Sequence, residues 1–315
     1  MRQTCVNMVH ELAKHDPRIV FIGSDLSPGL LGAMKEEMPE RHYMEGVMEA
    51  NVIGMAAGMA IDGYMPFVNT IATFITRRCY EQVALDLCLH DLPVRLIANG
   101  GGVVYAPLGP THLAVEDIAI MRALPNMTVT AVADAEEMKR LMRATLDWPH
   151  PIYIRLGKGG DPVVSKDANG FEIGKAIVMK RADGDDGGHP LLISCGVMTA
   201  HALAAAEILA AQGLVAEVIH VHTIKPLDNE LLLARIARAR LVFTVEEHSR
   251  IGGLGSAVSD LLDDQPAPLR PVVRKLGLQD SFSKNYGLQD DLLRISGLLP
   301  EQIAAAVLQA SGTAM

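Results

Sequence analysis

Residues 45–60 read Glu45-Gly-Val-Met-Glu49-Ala-Asn-Val-Ile-Gly54-Met-Ala-Ala-Gly58-Met-Ala60. Nearly every position is small or apolar, the pattern of a helix that is apolar all round and therefore buried. Gly54 and Gly58 lie four apart on one face, where another backbone could come close. Glu49 stands at the start of the uncharged run. A carboxylate there is costly unless it is paired, hydrogen-bonded or protonated. Taken alone, these residues leave two readings open: an acid stabilised by the helix dipole, or a functional acid.

On either side, short apolar runs alternate with helical patterns. Strands are expected at 18–22, 66–70, 93–98, 127–131 and 151–155. Helices are expected at 6–12, 30–38, 78–89, 116–124 and 134–146, the last capped by Asp134. That alternation implies a mainly parallel sheet covered on both faces. From Leu156 to His189 the periodicity fails and polar turns dominate, around a short strand at 176–180. A second α/β unit starts at Pro190, with strands at 191–194, 216–221, 241–245 and 271–276 among helices. The fold class is α/β: two doubly wound domains, at 1–165 and 190–315, joined by a connection at 166–189.

The composition narrows the function. Of 315 residues 49% are hydrophobic, enough for large cores, and the net charge of −9 comes with no basic block. Nucleic acid is therefore not an expected partner. No apolar run reaches membrane-spanning length, and the start of the chain lacks a signal-peptide pattern. The four cysteines show neither metal-type nor redox-type spacing, so buried thiols in a reducing cytoplasm are expected. Residues 182–188 are rich in Asp and Gly, but their spacing does not match a calcium loop. His220 and His222 alternate on one strand, with His248 a candidate third neighbour; packing is the preferred reading over a metal site.

In order, several motifs now form a recognisable pattern. Gly46 to Gly58 resembles the segment carrying the catalytic Glu of the transketolase family. Pro66-Phe-Val-Asn-Thr70 followed by Phe74 resembles the next strand and its cofactor-stacking aromatic. Gly109-Pro-Thr-His112 resembles the family's signature loop, and Glu116 to Met127 continues the match. Val245 to Gly255 looks like the family's C-terminal domain. The resemblance covers nearly the whole chain. The diphosphate-binding domain, with its Gly-Asp-Gly and downstream Asn, has no counterpart here. The chain therefore looks like the C-terminal subunit of a split transketolase.

The resemblance implies a pyrimidine-binding domain at 1–165 and a transketolase C-terminal-like domain at 190–315. It implies thiamine diphosphate as cofactor, with Mg2+ or Ca2+ bound mainly by a partner subunit and no metal ligand from this chain. That partner would be the N-terminal diphosphate-binding subunit, in a heterotetramer of two of each chain. The implied activity transfers a two-carbon ketol unit from a ketose to an aldehyde, on small anionic sugars. Glu49 would hydrogen-bond N1′ of the aminopyrimidine and help activate the cofactor. Phe74 would stack on that ring, its alternative being a core aromatic. Asp25 and Leu26 resemble the loop lining the pyrimidine pocket. His112 would lie near the reacting carbon and the donor hydroxyls, at a strand-end crevice where α/β proteins bind ligands. Arg155 resembles a sugar-phosphate ligand; a solvated strand-end charge or an inter-domain ion pair is the equal alternative.

Departures from the family fall on the substrate side. Gly100 stands where the family has a His, and Leu108 where it has an acid that contacts a donor hydroxyl. Gly100-Gly-Gly102 is expected to leave extra room, and an altered donor or acceptor follows. Rival readings are the β subunit of a 2-oxoacid dehydrogenase, a deoxyxylulose-phosphate-synthase-like enzyme, and a non-catalytic assembly subunit.

Overall fold

In the first unit the strands are β1 (Ile19–Gly23), β2 (His42–Met44), β3 (Met65–Ile71), β4 (Arg95–Asn99), β5 (Thr128–Ala131) and β6 (Ile152–Leu156). All but β2 are buried at every residue. Unbroken burial, rather than alternation, is what a parallel sheet with both faces covered requires. The computed structural model describes residues 1–24, 29, 31–182, 188–266 and 271–312.

The second unit contains β7 (Ile177–Lys180), β8 (Pro190–Ser194), β9 (Glu217–His220), β10 (Thr223–Lys225), β11 (Leu241–Ser249) and β12 (Val273–Leu278). Two sheets result, in the orders β10-β5-β6-β4-β3-β1-β2 and β12-β11-β8-β9-β7. The pairs are parallel except β10 on β5 and β7 on β9. The connection at 166–189 thus supplies an edge strand to the second sheet. In the other direction, β10 leaves the second unit and closes one edge of the first sheet. No periodicity announces β10, since three residues carry too little pattern to read.

The first unit opens with α1 (Arg2–Ala13) and α2 (Gly32–Glu37), and the helices that carry the site are α3 (Glu49–Ile61) and α4 (Ala72–Thr76). The helix expected at 78–89 is not regular. A 3-10 turn over Arg77–Cys79 breaks it from α4, and residues Val83–Leu89 run as a π-helix. The buried face of α3 is Val52, Ile53, Ala56, Ala57 and Ala60. Its other face is open: Ala50, Asn51, Gly54, Gly58 and Ile61 are exposed. The expectation of a helix buried all round is therefore corrected. Within this chain one apolar face is covered and the other is bare. A Cβ added at Gly54 or Gly58 would meet nothing within 4 Å.

Charged groups join the two units. Arg155 ends β6 and is 5% exposed; its Nε donates to Asp117 Oδ2 at 2.7 Å and its Nη2 to Glu247 O at 2.9 Å. Tyr153 donates its hydroxyl to the same Asp117 oxygen at 2.7 Å. Glu247 Oε1 accepts from Val103 N at 2.8 Å, and Gln289 Nε2 lies 3.0 Å from both its oxygens. Glu137 of the first unit meets His220 of the second at 2.8 Å, with both side chains fully buried. His220 also lies 2.6 Å from Thr199 Oγ1, while His222 stacks on Phe171 at 4.1 Å. Among the described residues no group of three or more potential ligands could hold a metal ion. All four cysteines are free and buried.

Burial pushes the carboxyls of Glu246 and Glu247 up to about 7, with Arg155 partly offsetting the rise for both. An acid whose pKa is raised on folding binds more protons folded than unfolded. Stability is then lost as pH rises from the ordinary carboxylate range to about 7. Glu247→Gln keeps acceptor and shape without the charge. It is expected to match the wild type in thermal melts at pH 5 and to exceed it at pH 8 by on the order of 1–3 kcal/mol. Equal stability of the two proteins at both pH values would show that Glu247 stays ionised throughout.

Candidate active site

The C-terminal ends of β1, β3 and β4 lie side by side, and the candidate site forms over them. In an open parallel sheet this edge is where loops and helix starts converge. Glu49 is the first residue of α3 and is 3% exposed. Its Oε1 faces the Thr70 hydroxyl at 3.5 Å; Ser24 Oγ donates to that hydroxyl at 3.0 Å. Its Oε2 accepts from Arg78 Nη1 at 2.8 Å. The acid is thus paired and hydrogen-bonded rather than a simple helix cap.

Phe74 projects half-buried from α4. The Arg78 guanidinium lies 4.1 Å from its ring centroid, and His112 meets the ring edge-on at 5.3 Å. Glu49, Arg78, Phe74 and His112 therefore form one unbroken chain of contacts. Three of the four were expected from sequence, and the structure brings them together. Arg78 was missed. Its signal was its place four residues after Phe74, the spacing at which side chains meet on a helix face.

The signature loop is tied down by a second missed residue. Arg77 donates to Thr111 O at 3.1 Å and pairs with Glu116 at 3.1 Å. Thr111 Oγ1 lies 2.9 Å from His112 Nδ1. Two adjacent arginines thus divide the work, Arg77 on the loop and Arg78 on the acid.

The glycine run does not leave room. A Cβ on Gly100 would lie 2.1 Å from the ring of Tyr105, one on Gly101 2.5 Å from Arg155, and one on Gly102 2.4 Å from Glu247. Each glycine marks a close approach already filled. Gly100 and Gly102 also have φ of +72° and +73°, which disfavour a side chain. Leu108 is 51% exposed on the turn before Gly109. The C-terminal unit reaches this loop as well. Tyr286 lies so near Gly109 that a Cβ there would be 2.6 Å from its ring. A cavity of ≈ 350 Å³, lined by Val103, Leu113, Phe282 and Lys284 among others, opens behind the loop.

Arg155 forms a buried ion pair within the first unit, on Asp117, and meets the second unit through the carbonyl of Glu247. Burial lowers the pKa of its guanidinium, but Asp117, Glu247 and Tyr153 together more than offset this, so the cation is held firmly. With Nε on Asp117 and Nη2 on two carbonyls, it links the two units. Asp25 and Leu26 lie outside the described residues.

Removing the Arg77 tie tests the loop. Arg77→Met is expected to speed amide hydrogen exchange at 109–112 several-fold while lowering overall stability by no more than about 1 kcal/mol, because the ion pair is partly solvated. Unchanged exchange would show that the loop needs no such support.

Comparison with known proteins identifies both units. Residues 1–160 match the transketolase pyrimidine-binding domain and residues 181–303 the transketolase C-terminal domain. The chain is 37% identical over 308 residues to the 6-deoxy-6-sulfo-D-fructose transketolase subunit SqwH of Clostridium sp. (strain MSTE9), covering 97% of this chain and 92% of that one. It is 33% identical over 310 residues to an apulose-4-phosphate transketolase subunit of Phocaeicola vulgatus, covering 98% and 96%. A solved structure described as a split gene transketolase, inactive β4 tetramer, superposes with a TM-score of 0.88 at 36% identity, covering 98% of this chain and 97% of that one. Matched end to end by subunits of this kind, the chain belongs to the transketolase family.

Proposed function

We propose that this chain is the pyrimidine-side subunit of a split transketolase, acting with thiamine diphosphate and a diphosphate-binding partner. The observation that carries this is the contact chain Glu49–Arg78–Phe74–His112 at the ends of parallel strands. The donor set fits the cofactor's aminopyrimidine. A nearly buried carboxylate can share a proton with a ring nitrogen, and a half-buried phenyl ring beside it can support a flat base. Thiamine diphosphate, when bound, supplies the electron sink for cleaving the bond beside a ketose carbonyl.

The chain's own residues bind and orient. Glu49 would hold a proton at N1′, Phe74 would fix the plane of the ring, and His112 would face the donor hydroxyls from the tethered loop. The diphosphate and the Mg2+ or Ca2+ ion would be held by the partner. The bare face of α3 supports an assembly in which another chain packs across Gly54 and Gly58. A heterotetramer of two of each chain fits it, as does the inactivity named for the solved β4 relative. Four free cysteines suit a reducing cytoplasm.

The named relatives act on a sulfo-sugar and on a sugar phosphate. We infer an anionic ketose donor, with Leu108 replacing an acid on the donor side. Fructose 6-phosphate and xylulose 5-phosphate are expected to be poor ketol donors beside 6-deoxy-6-sulfofructose or apulose 4-phosphate; fast transfer from both would refute an altered specificity. Consumption of pyruvate instead would favour the oxoacid-dehydrogenase or deoxyxylulose-phosphate-synthase reading.

Glu49→Gln tests the acid itself. With the partner present, the complex is expected to keep its size by light scattering and to lose about 10²–10³-fold or more in turnover. Turnover near the wild-type rate would remove Glu49 from the mechanism, and a complex inactive in every assay would favour an assembly subunit.

A further inference from the structure

Arg78 makes, by itself, both contacts that the proposed function asks of the aminopyrimidine. Its Nη1 donates to Glu49 Oε2 at 2.8 Å, and its guanidinium carbon lies 4.1 Å over the Phe74 ring. The carboxylate oxygen therefore lies one hydrogen bond from the guanidinium that covers the ring. A flat base that stacks on that face of Phe74 and bonds to Glu49 would need the space and the acceptor that Arg78 now occupies. We infer that Arg78 is a displaceable competitor for the aminopyrimidine, a positioning residue that holds Glu49 and Phe74 and must withdraw as the base is seated. This rests on the function proposed above.

The surroundings make the exchange feasible. The Glu49 side chain is 4% exposed and that of Arg78 is 42% exposed. The acid is fixed at the start of α3 and depends on a partner, because an unpaired buried carboxylate is costly. The arginine is already half in water and loses little by leaving, since solvated pairs contribute weakly. Arg77 beside it is committed to Thr111 and Glu116, so the neighbour does not replace it. One consequence is that this chain's half of the site holds the base weakly, and loading depends on contacts made elsewhere on the cofactor.

The test measures thiamine diphosphate affinity by calorimetry, with magnesium, on the full chain assembled with its diphosphate-binding partner. Arg78→Met keeps the length of the arm without the charge or the flat head, and is expected to tighten the dissociation constant about two- to fivefold, the range of a partly solvated pair. Arg78→Lys keeps the charge but not the flat head and is expected to fall between Met and wild type; it decides the matter if the Met variant fails to assemble. Binding by the variants no tighter than by a wild-type complex that itself binds would overturn the competition while leaving the function standing. A wild-type complex that binds no thiamine diphosphate would instead remove the function, and the competition with it.

Discussion

The fold depends on a guanidinium taken out of water. Arg155 stands at the end of a fully buried strand, and its charge is compensated by Asp117 and by carbonyls of both units. Breaking such a pair leaves a bare buried charge, which costs about 3–5 kcal/mol. The geometry therefore leaves little freedom. Asp117 is the first residue of a helix, Tyr153 shares its oxygen, and Glu247 comes from the other unit. Strand, helix start and second unit are held at one point, close behind the loop that carries His112.

That rigidity sets the character of the site in front of it. The backbone of the glycine run is pressed against Tyr105, Arg155 and Glu247, so the loop beginning there has a fixed origin. Arg77 fixes its far end at Thr111. Among the described residues of the site, the Arg78 side chain is 42% exposed while the acid it pairs with is buried. On the inference drawn above, the site would combine a stiff frame with a replaceable contact.

Much of this was legible in the chain. The alternation of apolar runs and helices pointed to the doubly wound sheets, because fully buried parallel strands read as unbroken apolar segments. Glu49 was visible as an acid where no acid belongs, and Phe74 and His112 stood out by their place in the motif order. The failures have physical causes. Arg77 and Arg78 look like ordinary surface charges, since nothing local shows that one reaches a loop 34 residues on and the other an acid 29 residues back. The strand at Thr223–Lys225 is set by the first sheet's need for an edge, not by its own three residues. The segment at 78–89 runs through a 3-10 turn and a π-helix, a departure that residue propensity does not record.

The glycine run shows how a local reading can invert. Three small residues in a row suggest space for a larger substrate. Here a glycine is required because something else is already there, and the missing side chain is replaced by a ring, a guanidinium and a carboxylate from elsewhere in the chain. Widening at Gly100 is therefore no source of the altered specificity proposed above; on that proposal it would come from side chains that still point outward, of which Leu108 is one, and from a partner's surfaces. The same logic applies to α3. Gly54 and Gly58 have nothing within 4 Å of an added Cβ, so at those two positions the small residues do mark room. One motif of small residues reports a contact made within the chain; the other, in the assembly proposed above, would be a contact left for a neighbour.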